Sequence, residues 1–175
     1  MLKTRDLLIE IGTEELPPKS LKSLATAFSE QMCLALNEVE LDFNDTSWYA
    51  TPRRLSLLIT DLDITQKDKE HQRRGPSLSV AFDKNENPTQ ATVGFAKSCG
   101  VEVKELEKLE SGKGAWLVFN AILKGKKTNE IIPGLVEKSL ERLPIAKRMR
   151  WGNYNIEFVR PIKWILILFG NKTLN

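Results

Sequence analysis

The stretch "LLIEIGTEELPPKSLKSLATAF", residues 7–28, joins a strand pattern to a helix pattern and decides the fold. Leu7, Ile9 and Ile11 alternate with other residues, which predicts a short strand over residues 6–11. After the two prolines, apolar residues recur three and four positions apart, and this spacing predicts an amphipathic helix over about residues 19–39. A strand that leads directly into a long helix with one apolar stripe is typical of a helix packed on a sheet.

The rest of the chain repeats these two patterns. Three further stretches have strand character: 47–62, with a break at Thr51-Pro52, then 115–123 and 165–169. Three stretches have helical character: 89–99, which Gly100 can cap, a short turn within 102–110, and a helix from an N-cap at Thr128 to a stop at Pro144. The polar stretch 63–77 is predicted to be an exposed loop or extended arm.

These elements predict an α+β fold, in which two long amphipathic helices pack on a mixed, largely antiparallel sheet. The domain prediction is a single region over residues 1–175. Since the sequence ends soon after its last strand pattern, we expect this region to belong to a longer chain.

Composition narrows the class of protein. The 175 residues are 41% hydrophobic and 28% charged, which is ordinary for a globular protein and excludes disorder over the whole chain. The longest apolar run, residues 162–169, is interrupted by Lys163 and is far shorter than the ~20 residues of a membrane span. No signal peptide pattern is present, and Cys33 and Cys99 have no C-x-x-C spacing. We therefore expect a cytoplasmic protein with reduced thiols and no membrane partner.

Charge is distributed unevenly along the chain. Residues 1–121 carry 15 Lys and Arg against 19 Asp and Glu, a net charge of −4, whereas residues 122–175 carry 11 against 4, a net charge of +7. The overall charge of +3 is too small to indicate a nucleic-acid partner. The excess in the last third, however, predicts a local, outward-facing positive surface.

Catalytic and metal-binding patterns are scarce. The single histidine, His71, lies in a charged stretch, where a solvated side chain is far more common than a metal ligand. No G-x-S-x-G, P-loop or G-x-G-x-x-G motif occurs. We therefore expect no catalytic residue, no metal site and no cofactor in this chain.

Glu14 and Glu15 admit three interpretations. The favoured one is structural, because acidic side chains ahead of a helix interact favourably with its positive N-terminal end. Contact with an interface or a ligand is second. Acid–base catalysis is last, because two adjacent carboxylates on a non-helical segment point apart.

Arginines and aromatic residues provide the candidate contacts for nucleic acid. Guanidinium groups match phosphate geometry, and interleaved aromatic rings can stack on unpaired bases. The alternative is a solvated basic face, or ion pairs with the acidic surplus of residues 1–121. The candidates are Arg53, Arg54, Arg73, Arg74, Lys147, Arg148, Arg150, Trp151 and Arg160.

Five short motifs occur in an order that resembles a known family. They are "EIGTEELPP" (10–18), "TPRRL" (51–55), "RRGPS" (73–77), "KRMRWG" (147–152) and "FVRPI" (158–162). In this order and approximate spacing they resemble the start of the bacterial glycyl-tRNA synthetase beta subunit, and the resemblance covers essentially the whole chain.

The resemblance implies a function beyond what the residues show. The family's enzyme is an alpha-2 beta-2 assembly that joins glycine to tRNA(Gly) using ATP, and adenylate formation belongs to the alpha subunit. The start of the beta subunit is similar to the body and tail parts of archaeal CCA-adding enzymes, which hold tRNA. This implies a non-catalytic region that handles tRNA and uses no cofactor of its own. The alternative is an assembly module that contacts the alpha subunit or other beta domains without touching RNA.

Overall fold

A computed structural model describes residues 3–83, 86–112, 114–150 and 157–174. The chain divides into two compact units, one of Met1–Lys67 with Gly125–Asn175 and one of Asp68–Lys124. The described strands are β1 Thr4–Thr13, β2 Asp45–Thr51, β3 Arg54–Asp63, β4 Lys69–Ser77, β5 Glu107–Ser111, β6 Gly114–Leu123, β7 Met149–Arg150, β8 Glu157–Phe158, β9 Ile162–Phe169 and β10 Lys172–Leu174. The described helices are α1 Leu21–Glu38, α2 Leu78–Ala81, α3 Gln90–Cys99 and α4 Thr128–Glu141, together with short 3-10 turns at Pro18–Ser20 and Val103–Glu105.

The first unit is built on a five-stranded antiparallel sheet with strand order β10-β9-β1-β3-β2. Ile9 of β1 pairs with Leu57 of β3 and with Ile167 of β9, so apolar side chains form a row across the sheet. That row belongs to the main core, which also takes in Phe28 and Met32 of α1 together with residues of α4. Burial of this face is the main source of stability, at about 1.5–3 kcal/mol for each large apolar side chain.

The second unit is a smaller antiparallel sheet with strand order β4-β6-β5, together with α2 and α3. Leu117 and Val118 of β6 and Ala96 of α3 are buried. Thr92 of α3 is fully buried, and its hydroxyl donates a hydrogen bond of 2.7 Å to the carbonyl oxygen of Ala81.

One prediction for this unit was wrong. Residues 69–77 form the edge strand β4 rather than a loop or an arm. Only one side of β4 pairs with a neighbouring strand, and the side chains of 69–74 are exposed, so no apolar alternation marks the strand in the sequence. The predicted turn within 102–110 is confirmed at Val103–Glu105, but the residues after it form β5.

The α+β class and the antiparallel pairing are confirmed. The expectation of two long helices is a slight overstatement, since α1 has 18 residues and α4 has 14. Gly100 ends α3 in the left-handed conformation, with φ of 74°, as the sequence predicts. Cys33 and Cys99 are free thiols. No helix in the described part of the chain combines the length and the apolar character that crossing a membrane requires.

Candidate nucleic-acid interface

Three of the five sequence motifs meet at one end of the large sheet. The Thr13 amide donates a hydrogen bond of 3.0 Å to the Arg53 carbonyl, and the Glu14 amide donates one of 3.0 Å to the Pro161 carbonyl. The Leu16 amide donates to the Pro52 carbonyl at 2.6 Å. Because β1 pairs with both β3 and β9, segments more than 100 residues apart in the sequence are joined through their backbones.

Ion pairs occupy both carboxylates of the Glu14-Glu15 pair. Glu15 lies 2.9 Å from the Arg53 guanidinium, and Glu14 lies 2.7 Å from the Lys163 ammonium. The Lys163 hydrogen bond and charge hold the pKa of Glu14 below its usual value. Glu14 is therefore ionised near neutrality and carries no proton to donate. The two glutamates act as structural partners of cations, and these exposed pairs contribute little individually.

Arg54 is also engaged within the fold. Its guanidinium lies 3.6 Å from the Glu10 carboxylate and 5.4 Å from the centroid of the Trp164 ring. The indole of Trp164 covers Gly12 of β1 so closely that a Cβ at residue 12 would lie 2.2 Å from ring atom Cε2. Glycine in the "EIGTEELPP" motif therefore leaves space for an aromatic ring on the sheet surface.

Arg160 joins the "FVRPI" motif to the "EIGTEELPP" motif through a hydrogen bond. Its Nε donates a hydrogen bond of 3.1 Å to the Glu15 carbonyl, and its Nη1 lies 3.4 Å from both the Val159 carbonyl and the Met149 sulfur. Beside it, residues 14–18 with Pro52 and Arg160 line an open cavity of about 660 Å³. The described hydrogen-bond partners of the Arg160 guanidinium are all neutral acceptors.

The residues of the basic motif at 147–152 differ in how far their side chains are hydrogen-bonded within the fold. Arg148 donates to the carbonyl of Glu141, to that of Leu143 at 3.2 Å and to that of Glu157 at 3.5 Å. It therefore satisfies carbonyl groups at the C-terminal end of α4. Lys147 is exposed, and no hydrogen bond or ion pair joins its ammonium group to any described residue. Arg150 is exposed in β7, and Trp151 lies outside the described residues.

The motif at 73–77 belongs to the second unit. Arg73 donates from Nη1 to the Ser98 carbonyl at 2.8 Å, at the end of α3. The guanidinium of Arg74 lies 3.4 Å from the centroid of the Trp116 ring, an arrangement typical of a cation–π contact. Both arginines therefore contribute to packing within the small sheet and its helix. Arg53, Arg54 and Arg160 come together in the first unit, whereas Arg73 and Arg74 lie in the other.

The cations without carboxylate partners are mostly lysines that the motifs did not single out. Among the late cations, Lys163 pairs with Glu14 and Arg142 pairs with Glu38 at 3.6 Å. Six exposed lysines make no ion pair with a described residue: Lys124, Lys126, Lys127, Lys138, Lys147 and Lys172. The charge count over residues 122–175 includes all six, but only Lys147 is among the candidates that the sequence motifs predict.

Within residues 3–83, 86–112, 114–150 and 157–174, no three His, Cys, Asp or Glu side chains are grouped so that they could bind a metal ion.

Comparison with known proteins identifies the family. Residues 7–175 match the family described as "Glycyl-tRNA synthetase beta subunit". The "Glycine--tRNA ligase beta subunit" of Marinobacter nauticus is 49% identical over 99% of this chain and 25% of its own length. The proteins of the same name from Hahella chejuensis and Alteromonas mediterranea are 49% and 44% identical over 98% and 99% of this chain.

The chain spans about a quarter of the length of these relatives. The motifs that meet at the Gly12 end of the sheet and the similarity along nearly the whole chain agree, so this chain belongs to the glycyl-tRNA synthetase beta subunit family.

Proposed function

We propose that this chain is the non-catalytic N-terminal region of a glycyl-tRNA synthetase beta subunit, and that it helps to hold tRNA(Gly) in the cytoplasm. The alpha subunit of an alpha-2 beta-2 enzyme would attach glycine to that tRNA with ATP, and this region would use no cofactor of its own.

One observation carries the proposal. In the part of the chain that the structure describes, Lys126, Lys127 and Lys147 are exposed and have no ion-pair partner. An ammonium group that is not paired within the fold is available to neutralise a phosphate and release a counterion. The candidate arginines are less available, because Arg53 and Arg54 already face carboxylates.

The Lys163 ammonium group holds the pKa of Glu14 below its usual value, which fits a supporting rather than a proton-donating role for the "TEELPP" loop. Arg53, Arg54, Arg73, Arg74, Arg148, Arg150, Trp151 and Arg160 remain predicted RNA contacts. Arg73 and Arg74 lie in the second unit, so contact through those two residues is a separate part of the proposal.

Charge reversal tests the proposal. In the complete enzyme, a variant with Lys126→Glu, Lys127→Glu and Lys147→Glu should bind tRNA(Gly) about tenfold or more weakly. The slope of log affinity against log salt should fall by roughly one for each phosphate contact that is lost. Glycine-dependent pyrophosphate exchange, measured without tRNA, should be unchanged.

A matched control carries the same charge change in the acidic part of the sequence. Lys19, Lys22 and Lys97 are exposed and make no ion pair with a described residue, and all three lie within residues 1–121. Their reversal to Glu should affect tRNA binding much less. Equal losses in the two triple variants would mean that only net charge matters. Unchanged binding in the first variant would favour the assembly role, in which this region contacts the alpha subunit or other beta domains.

A further inference from the structure

The outer face of the five-stranded sheet carries an apolar row across its strands, next to the polar pair Glu10 and Ser56. This is the face opposite α1 and α4, and it is defined here by the side chains that alternate with the core residues Leu7, Ile9 and Ile11. One row of paired residues crosses all five strands: Ser47, Leu58, Leu8, Leu168 and Thr173. Three adjacent leucines thus stand in the centre, with one small hydroxyl residue at each edge.

The apolar surface continues along β9. Trp164, Leu166 and Leu168 alternate with Ile165 and Ile167, so both faces of this strand are apolar. An antiparallel sheet with one face in water alternates apolar and polar residues, whereas a continuous apolar run is typical of a strand that is covered on both sides. Leu8, Leu58, Leu166 and Leu168 are only half-buried, and none of them packs on the main core.

The dimensions of this surface fit one α-helix. Leu58, Leu8 and Leu168 lie on three neighbouring strands, which places the outer two about 10 Å apart, close to the diameter of a helix. Trp164 to Leu168 spans four residues of strand, roughly 13 Å, which equals about nine residues of helix. A helix that lies along β9, with an apolar stripe at i, i+3, i+4 and i+7, would cover Trp164, Leu166 and Leu168 and would reach Leu8 on the neighbouring strand.

Among the described residues, the leucine part of this face holds no cation that would attract RNA. Arg54 is the cation at the Gly12 end of the face, and it is paired with Glu10, which also accepts a hydrogen bond of 2.9 Å from the Ser56 hydroxyl. Leucine side chains provide neither a fork for phosphate nor a ring for stacking.

We propose that an amphipathic helix from a later part of the same beta-subunit polypeptide docks on this face and converts the sheet into a layer that is buried on both sides. Relatives extend over about four times the length matched here, so such a polypeptide supplies candidate helices. A covalently attached segment also binds at a high effective concentration, which favours it over a separate partner. The proposal rests on family membership and goes beyond the proposed tRNA role.

Site-specific photo-crosslinking in the complete alpha–beta enzyme tests the proposal. Leu168 is replaced by benzoyl-phenylalanine, and the control carries the same group at Thr173, at the polar edge of the same row. After irradiation, mass spectrometry should find residue 168 joined to a beta-subunit peptide beyond residue 175 that has helical apolar spacing. The yield at residue 173 should be several-fold lower.

Other outcomes would overturn the proposal. They are crosslinks from residue 168 to the alpha subunit, to tRNA or to a second beta subunit, crosslinks confined to residues 1–175, and no crosslink at all. If the substituted subunit does not assemble, Leu166→Cys provides a second test. A covered thiol at residue 166 should react with maleimide several-fold more slowly than one introduced by Thr173→Cys, and equal rates would contradict the docked helix. Neither test depends on tRNA affinity, so failure here is distinguishable from failure of the proposed function.

Discussion

Gly125→Ala is expected to lower the free energy of unfolding of the first unit by about 1–3 kcal/mol, the usual cost of overpacking. A Cβ at residue 125 would lie 1.9 Å from the carbonyl oxygen of Gln66, which is a backbone atom and cannot rotate away. The contact lies between two chain segments that are joined by hydrogen bonds. The Gln66 amide donates to the Lys126 carbonyl at 3.0 Å, and the Lys126 amide donates to the Gln66 side-chain oxygen at 3.2 Å. The added methyl group must push these segments apart.

Gly134→Ala is the matched control, because the substitution is identical and the unit is the same. Gly134 lies inside α4, and a Cβ there would meet no heavy atom within 4 Å. Alanine is favoured over glycine in a helix interior by roughly 0.5–1 kcal/mol, so this variant should be more stable. Urea unfolding followed by circular dichroism should therefore show a lower free energy of unfolding for Gly125→Ala and a higher one for Gly134→Ala. Destabilisation of similar size in both variants would contradict the close packing at Gly125.

Arg148→Ala is expected to destabilise the first unit by about 1.5–3 kcal/mol, because a charged donor to three carbonyls, of which that of Leu143 is partly buried, is lost. The guanidinium bonds to the carbonyls of Glu141, Leu143 and Glu157, which join the end of α4 to β8. Lys147→Ala, one residue away, should change the free energy of unfolding by less than about 0.5 kcal/mol, as expected of an exposed side chain that makes no hydrogen bond or ion pair with a described residue.

Substitutions at Lys147 and Arg148 also distinguish an effect on folding from an effect on RNA binding. If Lys147 contacts RNA, Lys147→Ala should weaken tRNA(Gly) binding while the unfolding curve stays in place. Arg148→Lys keeps the charge but not the planar fork of donors, so it should lose stability with little change in the salt dependence of binding. Equal stability losses at positions 147 and 148 would contradict the distinction between an engaged arginine and a free lysine.

Local patterns predicted the elements whose residues face one way. The apolar stripe of α1 and the alternation in β1 each reflect burial of a single face. Such burial shows in the spacing of apolar residues that lie close together in the sequence. β4 was missed because an exposed edge strand depends on a distant partner, β6, for its structure and carries no apolar period. The strand was predicted at residues 165–169, but only the register with β1 shows that both of its faces are apolar.

The candidate site was harder to predict, because the partners of its charged residues lie far away in the sequence. Glu15 meets Arg53 and Glu14 meets Lys163 only because β1 pairs with β3 and with β9. Arg148 looked like an exposed phosphate contact because nothing local shows that the carbonyls at the end of α4 need a donor. Arginines that resemble RNA contacts in the sequence thus largely contact other residues of the fold, while several late lysines make no ion pair within the part of the chain that the structure describes.

The most direct test of the central claim, that late lysines of this chain contact tRNA, is ultraviolet crosslinking of tRNA(Gly) to the complete enzyme with mapping of the modified peptides. The account predicts nucleotide adducts on peptides that contain Lys126 and Lys127 or Lys147, and few on peptides that contain Lys19, Lys22 or Lys97. Adducts that are confined to other parts of the enzyme, with none between residues 122 and 174, would contradict it.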